Sequence, residues 1–324
     1  MNLGNLLTYL NKIKTFYVPD KASYWNTITP CSIVEKPEYL SKYYLDFSSK
    51  ANYPNKFTND GIPLYSFKGQ AHIEHPIVIA QYALGIYELI LKTNFKDELK
   101  KNKFIYMANW FENNSVTLKY GKGWMINIKY PEYNLLSPWI SAMAQGEAIS
   151  VLTRAAKLTN NRNYEQLAVD ALLPFKYDVK EGGLVNYFNS IPIYEEFPTP
   201  IKTMAVLNGF IFALFGLFDL YLLNKNEIAE SLYNTGVDSL KKILPYFNAK
   251  NWTRYYLFDY PNEYYSSFTY HILVAEQLKA MYYLTNDRFF LNYSNKWIEY
   301  SKSYFKKTYA LYKKLTYANK ILSK

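Results

Sequence analysis

The sequence predicts an all-α-dominated fold, an α/α barrel or toroid of about four helical hairpins, with short β-strands in the long loops at one mouth. Three observations predict it. Apolar residues recur at three- and four-residue spacing in four long segments, each closed by an Asn-rich turn. In each hairpin the first helix is the more apolar and the second the more charged, as an inner ring of buried helices inside a solvated outer ring requires. The segments joining one hairpin to the next are long and carry Gly, Pro and aromatic residues, and long ordered loops in a compact domain are usually functional.

The first helix is read over residues 78–90, closing at Lys92-Thr93-Asn94, with an amphipathic partner running through Trp110. The second hairpin pairs residues 141–158 with 164–172 across Thr159-Asn160-Asn161. The third pairs 206–222 with 227–244 across Leu223-Asn224-Lys225-Asn226, and the fourth pairs 269–284 with 289–304 across Thr285-Asn286-Asp287. The repeat of roughly 60–66 residues is too long for a solenoid of short repeats. Between the hairpins, residues 121–138, 174–200 and 245–268 each return from an outer helix to the next inner one, which gathers all three at one mouth. Residues 182–188 and 252–258 within them read as short strands. Residues 1–60 have no clear period and are read as an N-terminal extension wrapping the barrel, 61–310 as the barrel, and 311–324 as a basic C-terminal tail.

Composition narrows the function classes. With 49% hydrophobic and 20% charged residues over 324 positions, a sizeable core forms and wholesale disorder is excluded. The net charge of +10 favours an anionic partner, either nucleic acid or acidic polysaccharide. The lysines are spread along the chain with no nucleic-acid-binding signature, so an acidic glycan is the expected partner and nucleic acid is not. Cys31 is the single cysteine, so neither an internal disulfide nor a cysteine metal cluster is expected. His72 and His75 flank Glu74, but the spacing matches no zinc arrangement, and no metal or cofactor is expected. No secretory signal is read at the N-terminus, which leaves cytoplasmic as the default location. No membrane span is read either, since the longest apolar run, 206–223, is broken by Asn208 and Asp219. A homodimer stays open.

The chemistry-bearing segment is Tyr194-Glu195-Glu196-Phe197-Pro198-Thr199, which places two carboxylates just ahead of an apolar helix. Pro198 and Pro200 keep it out of helix, and an extended chain points adjacent side chains to opposite sides. Trp139 and Trp252 sit at loop ends, where an aromatic ring either stacks on a sugar or packs. Arg154 and Lys202 are cations able to pair with substrate carboxylates, Arg154 being read as solvated or salt-bridged. Gln145 and Glu147 are read as structural hydrogen-bonding groups.

Three stretches together resemble the D-glucuronyl C5-epimerase C-terminal domain family over roughly residues 40–305. They are Pro138-Trp139-Ile140-Ser141-Ala142-Met143-Ala144-Gln145-Gly146-Glu147, the Glu-Glu segment followed by Leu207-Asn208-Gly209-Phe210, and Tyr270-His271 followed by Glu276-Gln277-Leu278. The resemblance implies an α/α barrel that converts glucuronate to iduronate within a heparan-type polysaccharide, without a cofactor. It implies catalytic roles for Glu196, Tyr255 and Tyr270, with Tyr256 one register away from Tyr255. Phe197, Glu195, Tyr194, His271, Trp139 and Lys202 are the substrate-binding candidates. The chain departs from the family at Phe197, where the family carries Tyr, and at Val274, where a second His is common. The Arg and His that often follow the Tyr255 position in animal enzymes are missing too.

That chemistry needs such residues. The C5 proton lies α to the uronate carboxylate, so its removal builds negative charge that donors or cations must stabilise. Inversion needs a second proton-transfer group on the opposite ring face. At this point three classes stay open: a uronyl C5-epimerase, a polysaccharide lyase or glycoside hydrolase on a related barrel, and a non-catalytic glycan-binding relative. A hydrolase needs two opposed carboxylates, which adjacent Glu195 and Glu196 do not provide unless Asp259 or Glu263 supplies the partner.

Overall fold

A computed structural model describes Ile13 and residues 24–67, 71–262 and 264–322, with side chains described to residue 316. Most of residues 1–23 and Glu263 therefore lie outside the described residues.

Helices dominate, in the hairpin order the sequence predicts. The first hairpin is α1 (Pro76–Lys92) and α2 (Glu98–Asn113), the second α3 (Ala142–Thr159) and α4 (Arg162–Asp170). The third is α5 (Leu207–Asn224) and α6 (Glu227–Phe247), the fourth α7 (Phe268–Thr285) and α8 (Arg288–Lys302). Capping chemistry sets these boundaries. Asn160, Lys225 and Asn286 take the left-handed conformation that ends the first helix of the second, third and fourth hairpins, and the next residue caps the helix that follows. Asn161, Asn226 and Asp287 each accept a backbone N–H from the first turn that follows. A further helix, α9 (Tyr304–Leu322), follows α8 and takes in residues 311–322 of the basic C-terminal segment. Ala310, Leu311 and Leu315 bury one side of it.

The first helices of the hairpins pack on one another in chain order: α1 on α3, α3 on α5, and α5 on α7. The closest of these contacts is α3 on α5, and glycine permits it. A Cβ at Gly216 would lie 2.1 Å from the Gly146 carbonyl oxygen, and one at Gly146 would lie 2.5 Å from Ala213 Cα. Any larger residue at either position drives the helices apart. Helix α5 is long and apolar enough by length and composition to cross a membrane, and 83% of it is buried inside the protein.

One buried ion pair ties this helix layer to the N-terminal segment. Arg154 of α3 meets Asp219 of α5 at 2.6 Å with both side chains fully buried. Arg154 also donates to the Ser41 and Lys42 carbonyls, and the Tyr44 hydroxyl donates to Asp219 at 2.7 Å. Every ionised atom thus finds partners, the condition for burying such a pair without a large penalty. The salt-bridged reading of Arg154 is the one found. The same N-terminal segment bonds α7 as well, through Cys31 N–H to Glu276 and Thr269 to Asn26.

Among the described residues the strands are three two-stranded antiparallel pairs: β1 (Leu64–Tyr65) with β2 (Ile73–Glu74), β3 (Val116–Thr117) with β4 (Lys122–Gly123), and β5 (Val185–Phe188) with β6 (Ile191–Tyr194). The predicted strand at 252–258 is not a strand; the loop carries the isolated bridges Asn248 to Thr253 and Arg254 to Tyr265 and separate backbone hydrogen bonds such as Leu257 N–H to the Met204 carbonyl. Trp252 is fully buried there with its Nε1–H on the Ser266 carbonyl, which settles its packing role over sugar stacking.

Candidate active site

The three long loops all contribute to the lining of a cavity of about 470 Å³. Tyr130, Glu132, Tyr133 and Trp139 come from the first loop, Glu196 and Phe197 from the second, and Tyr255, Tyr256 and Tyr264 from the third. Tyr270 rises from the first turn of α7, whose N-cap Ser267 accepts the Tyr270 N–H.

The two adjacent glutamates part company. Glu195 turns inward, fully buried, and its carboxylate accepts the Met204 N–H at 2.9 Å and the Ala205 N–H at 3.1 Å. Ala205 holds a left-handed φ of +49°, a conformation that costs a non-glycine residue about 1–3 kcal/mol unless its surroundings fix it. Glu195 is that fixing group. Glu196 turns to the cavity, 7% exposed, and lies against the first turn of α5: a Cβ at Gly209 would sit 2.2 Å from its Oε2. Its Oε2 has no hydrogen-bond partner in the protein. Burial pushes the Glu196 carboxyl up to about 8, and burial plus the neighbouring Glu196 charge pushes Glu195 up to about 8 despite its two amide donors. A carboxyl held there protonates and deprotonates near neutral pH, as a general acid or base must.

Tyr255 and Tyr270 form the wall beside it, with rings edge-to-face and centroids 5.2 Å apart. Both phenols are raised above their ordinary value, first by burial and next by the Glu196 charge, so both stay protonated at neutral pH. Both Tyr255 and Tyr256 line the cavity and differ in their partners: the Tyr256 hydroxyl donates to Asp259 at 3.0 Å and its ring stacks on Tyr264, whereas Tyr255 packs edge-to-face on Tyr270. Another part of the lining is aromatic. Phe197 packs against Trp139 at 5.6 Å and Tyr130 at 5.2 Å, and the Trp139 indole N–H is spent on the Ile128 carbonyl.

Four of the predicted substrate-binding residues do not line the cavity. The Tyr194 hydroxyl donates to the Leu232 carbonyl behind β6, and Glu195 serves the loop amides. The Lys202 ammonium lies over the Phe258 ring, 4.4 Å from its centroid, outside the lining. His271 follows Tyr270 by about 100° around α7 and so faces the interior. It stacks on Trp252 at 3.7 Å and bonds the Trp297 carbonyl through Nε2, which must carry the proton, leaving Nδ1 to accept from Thr253. Burial drops its pKa to about 3, so it stays neutral.

Several cavity groups carry no signal in the sequence. Tyr130 precedes Pro131 in a tyrosine-rich loop, and nothing in its type or spacing separates it from its neighbours. Its phenol is raised by burial and then by Tyr65, Glu196 and Tyr270, and it lines the cavity with them. His75 lines the cavity, dropped to about 3 by burial, with Nδ1 unpartnered. His72 is exposed elsewhere, Glu74 is engaged by the Trp110 indole, and no group of three metal ligands occurs among the described residues. Beneath the floor, Gln81 donates to Glu147 at 2.9 Å, and buried Lys50, lowered to about 7, lies close enough to offset the Glu147 charge. Gln145 holds the Lys122 and Ala171 carbonyls and so acts structurally.

The family model of the D-glucuronyl C5-epimerase C-terminus matches residues 119–299, which supply all three long loops and Tyr270. A Caenorhabditis elegans D-glucuronyl C5-epimerase is 33% identical over 231 residues, 65% of this chain and 36% of the relative. An uncharacterized protein of Methanocaldococcus jannaschii is 32% identical over 184 residues, 54% of this chain and 57% of the relative. The matches thus span about a third to somewhat over half of those relatives' own lengths. The chain belongs to the D-glucuronyl C5-epimerase C-terminal family.

Proposed function

We propose that the chain is a uronyl C5-epimerase that inverts glucuronate to iduronate within an acidic, heparosan-type polysaccharide. The observation that carries this reading is the desolvated Glu196 carboxylate set beside the protonated phenols of Tyr255 and Tyr270 in one aromatic-walled cavity. In the reaction, Glu196 removes the C5 proton; the C5–H bond electrons move into the C6 carboxylate to give an enediolate-like anion. A phenol on the other ring face, Tyr270 or Tyr255, then delivers its proton to C5. Glu196 leaves the cycle protonated and the tyrosine leaves it as phenolate, and solvent returns the proton between them. Phe197 has no hydroxyl and contributes an apolar face for the sugar.

The scaffold we infer for this site is an α/α barrel. The chain-order packing of α1, α3, α5 and α7, with α2, α4, α6 and α8 outside them, supports it, as does an N-terminal segment that bonds both α1 and α7. A hydrolase is less well supported. Its second carboxylate would be Glu132, which is exposed at the cavity rim, since Asp259 is engaged by the Tyr256 hydroxyl. A lyase shares the first step and expels the C4 group instead of reprotonating C5.

Incubation with uronate polysaccharide in deuterated water tests the reading by NMR. Deuterium at C5 together with iduronate signals is the expected result. Unsaturated uronate would turn the assignment to a lyase, and new reducing ends to a hydrolase. Binding without any exchange would leave a non-catalytic glycan-binding protein.

A further inference from the structure

The C5 abstraction step concentrates charge on the uronate carboxylate, where the phenols can donate hydrogen bonds but carry no positive charge. A cation on the wall would add the charge they lack. Among the described residues lining the cavity, Lys314 alone carries an ammonium or guanidinium; His75 is buried and neutral. Lys314 lies on α9, beyond residue 299 where the family match ends. Its ammonium donates to the Tyr265 carbonyl at 3.2 Å and sits 4.9 Å from the centroid of the Tyr264 ring, itself on the cavity wall. An ammonium has three N–H donors, so one carbonyl leaves donors for a ligand. Burial of Ala310, Leu311 and Leu315 pins the helix there. One helical stripe earlier, about 10.5 Å along the axis, Lys307 lies over Phe268 at 4.5 Å, next to Ser267 of the cavity wall.

We propose that Lys314 is the carboxylate-recognising residue of the site, so that the C-terminal helix α9, not the family core alone, selects an anionic sugar. This rests on the epimerase reading for the reaction but not for the binding. Lys314 holds the carboxylate in the ground state and more strongly as the enediolate-like anion forms. It therefore acts on KM and on kcat together.

The test measures binding of two polymers, an alternating glucuronate and N-acetylglucosamine chain and the same chain with its uronates reduced to glucose. The full-length protein is compared with Lys314→Met, Lys314→Arg and Lys313→Met, and C5 exchange is followed in parallel. Lys314→Met is expected to lose about ten- to a hundredfold in affinity for the carboxylate polymer and nothing for the reduced one. Lys314→Arg is expected to restore most of that discrimination. Lys313→Met removes the same charge from the same helix and is expected to keep it. Undiminished discrimination in Lys314→Met overturns the proposal, as does equal loss in Lys313→Met, which would mean net charge rather than a site. The two readings fail separately: exchange with discrimination intact in Lys314→Met sinks only Lys314, while Lys314-dependent binding without exchange sinks only the epimerase.

Discussion

Glu196→Gln separates the catalytic from the stability role of the buried carboxylate. In the folded protein this group titrates near 8 against an ordinary value of 4.5. Between those two pH values the folded state therefore holds a proton that the unfolded chain has released. Stability must fall as pH rises through that window, and the loss levels off above pH 8. Working the linkage through gives a penalty under about 1 kcal/mol at pH 5 and about 4 kcal/mol at pH 8. Glutamine has no such titration. Its amide must fit against Gly209 at some fixed, pH-independent cost, so the comparison is between the two pH values and not at one. Urea unfolding at pH 5 and pH 8 should show the variant gaining about 3 kcal/mol on the wild type between them. Removing the Glu196 charge also eases ionisation of Glu195, which acts in the same direction. The same variant should lose C5 exchange at both pH values. An equal stability gap at both pH values would refute the reasoning, because it would mean that Glu196 ionises in the fold as easily as in water.

Four further substitutions follow from the same geometry. Tyr270→Phe keeps the ring against Tyr255 and should cut C5 exchange about 10²- to 10⁴-fold, with substrate binding retained in a titration of the glycan. Tyr130→Phe keeps the contact with Phe197 and should lower kcat about tenfold, on the order of one hydrogen bond, at an unchanged unfolding midpoint. Gly209→Ala puts a methyl 2.2 Å from Glu196 Oε2 and must displace the carboxylate; a shift of about 1 Å is worth roughly 10²-fold in exchange rate. Asp219→Ala strands the Arg154 guanidinium among buried groups and should cost about 3–5 kcal/mol in chemical denaturation, with the remaining folded fraction still active.

The second and fourth hairpins were legible because three local signals agree there: apolar period, an Asn that accepts a left-handed φ, and an Asn or Asp that caps the next helix. The opposite orientations of Glu195 and Glu196 were legible for the same kind of reason, since prolines force an extended backbone and extended backbone alternates. What could not be read depends on distant parts of the chain. Tyr270 and His271 share one motif, but which of them faces the cavity is set by the angular position of each on α7 relative to Trp252 and Trp297. Lys202 and Lys314 look alike in sequence, and only the docking of α9 decides that Lys314 reaches the wall. Residues 252–258 carry strand-forming side chains, yet Thr253 and Arg254 are bridged to different partners on either side, which leaves no continuous ladder to extend.

Phe197 shows how the site divides its labour. Its ring lies in an apolar wall with Trp139 and Tyr130, and a hydroxyl there would have to find a partner among aromatic faces. The proton-carrying groups are grouped around Glu196 instead, and each of the tyrosines 130, 255 and 270 is raised in part by that one carboxylate. Ionising Glu196 therefore makes all three phenols harder to deprotonate at the same moment. The base and its acids are coupled: the form that can take the C5 proton is the form in which the donors are held fully protonated. Inversion needs that pairing of states. It follows that removing Glu196 should lower the apparent pKa of the cavity tyrosines, and ultraviolet titration of Glu196→Gln against the wild type reads that shift directly. Tyrosines that titrate identically in the two proteins would mean that the carboxylate and the phenols do not share a field, and the acid–base assignment would fall with it.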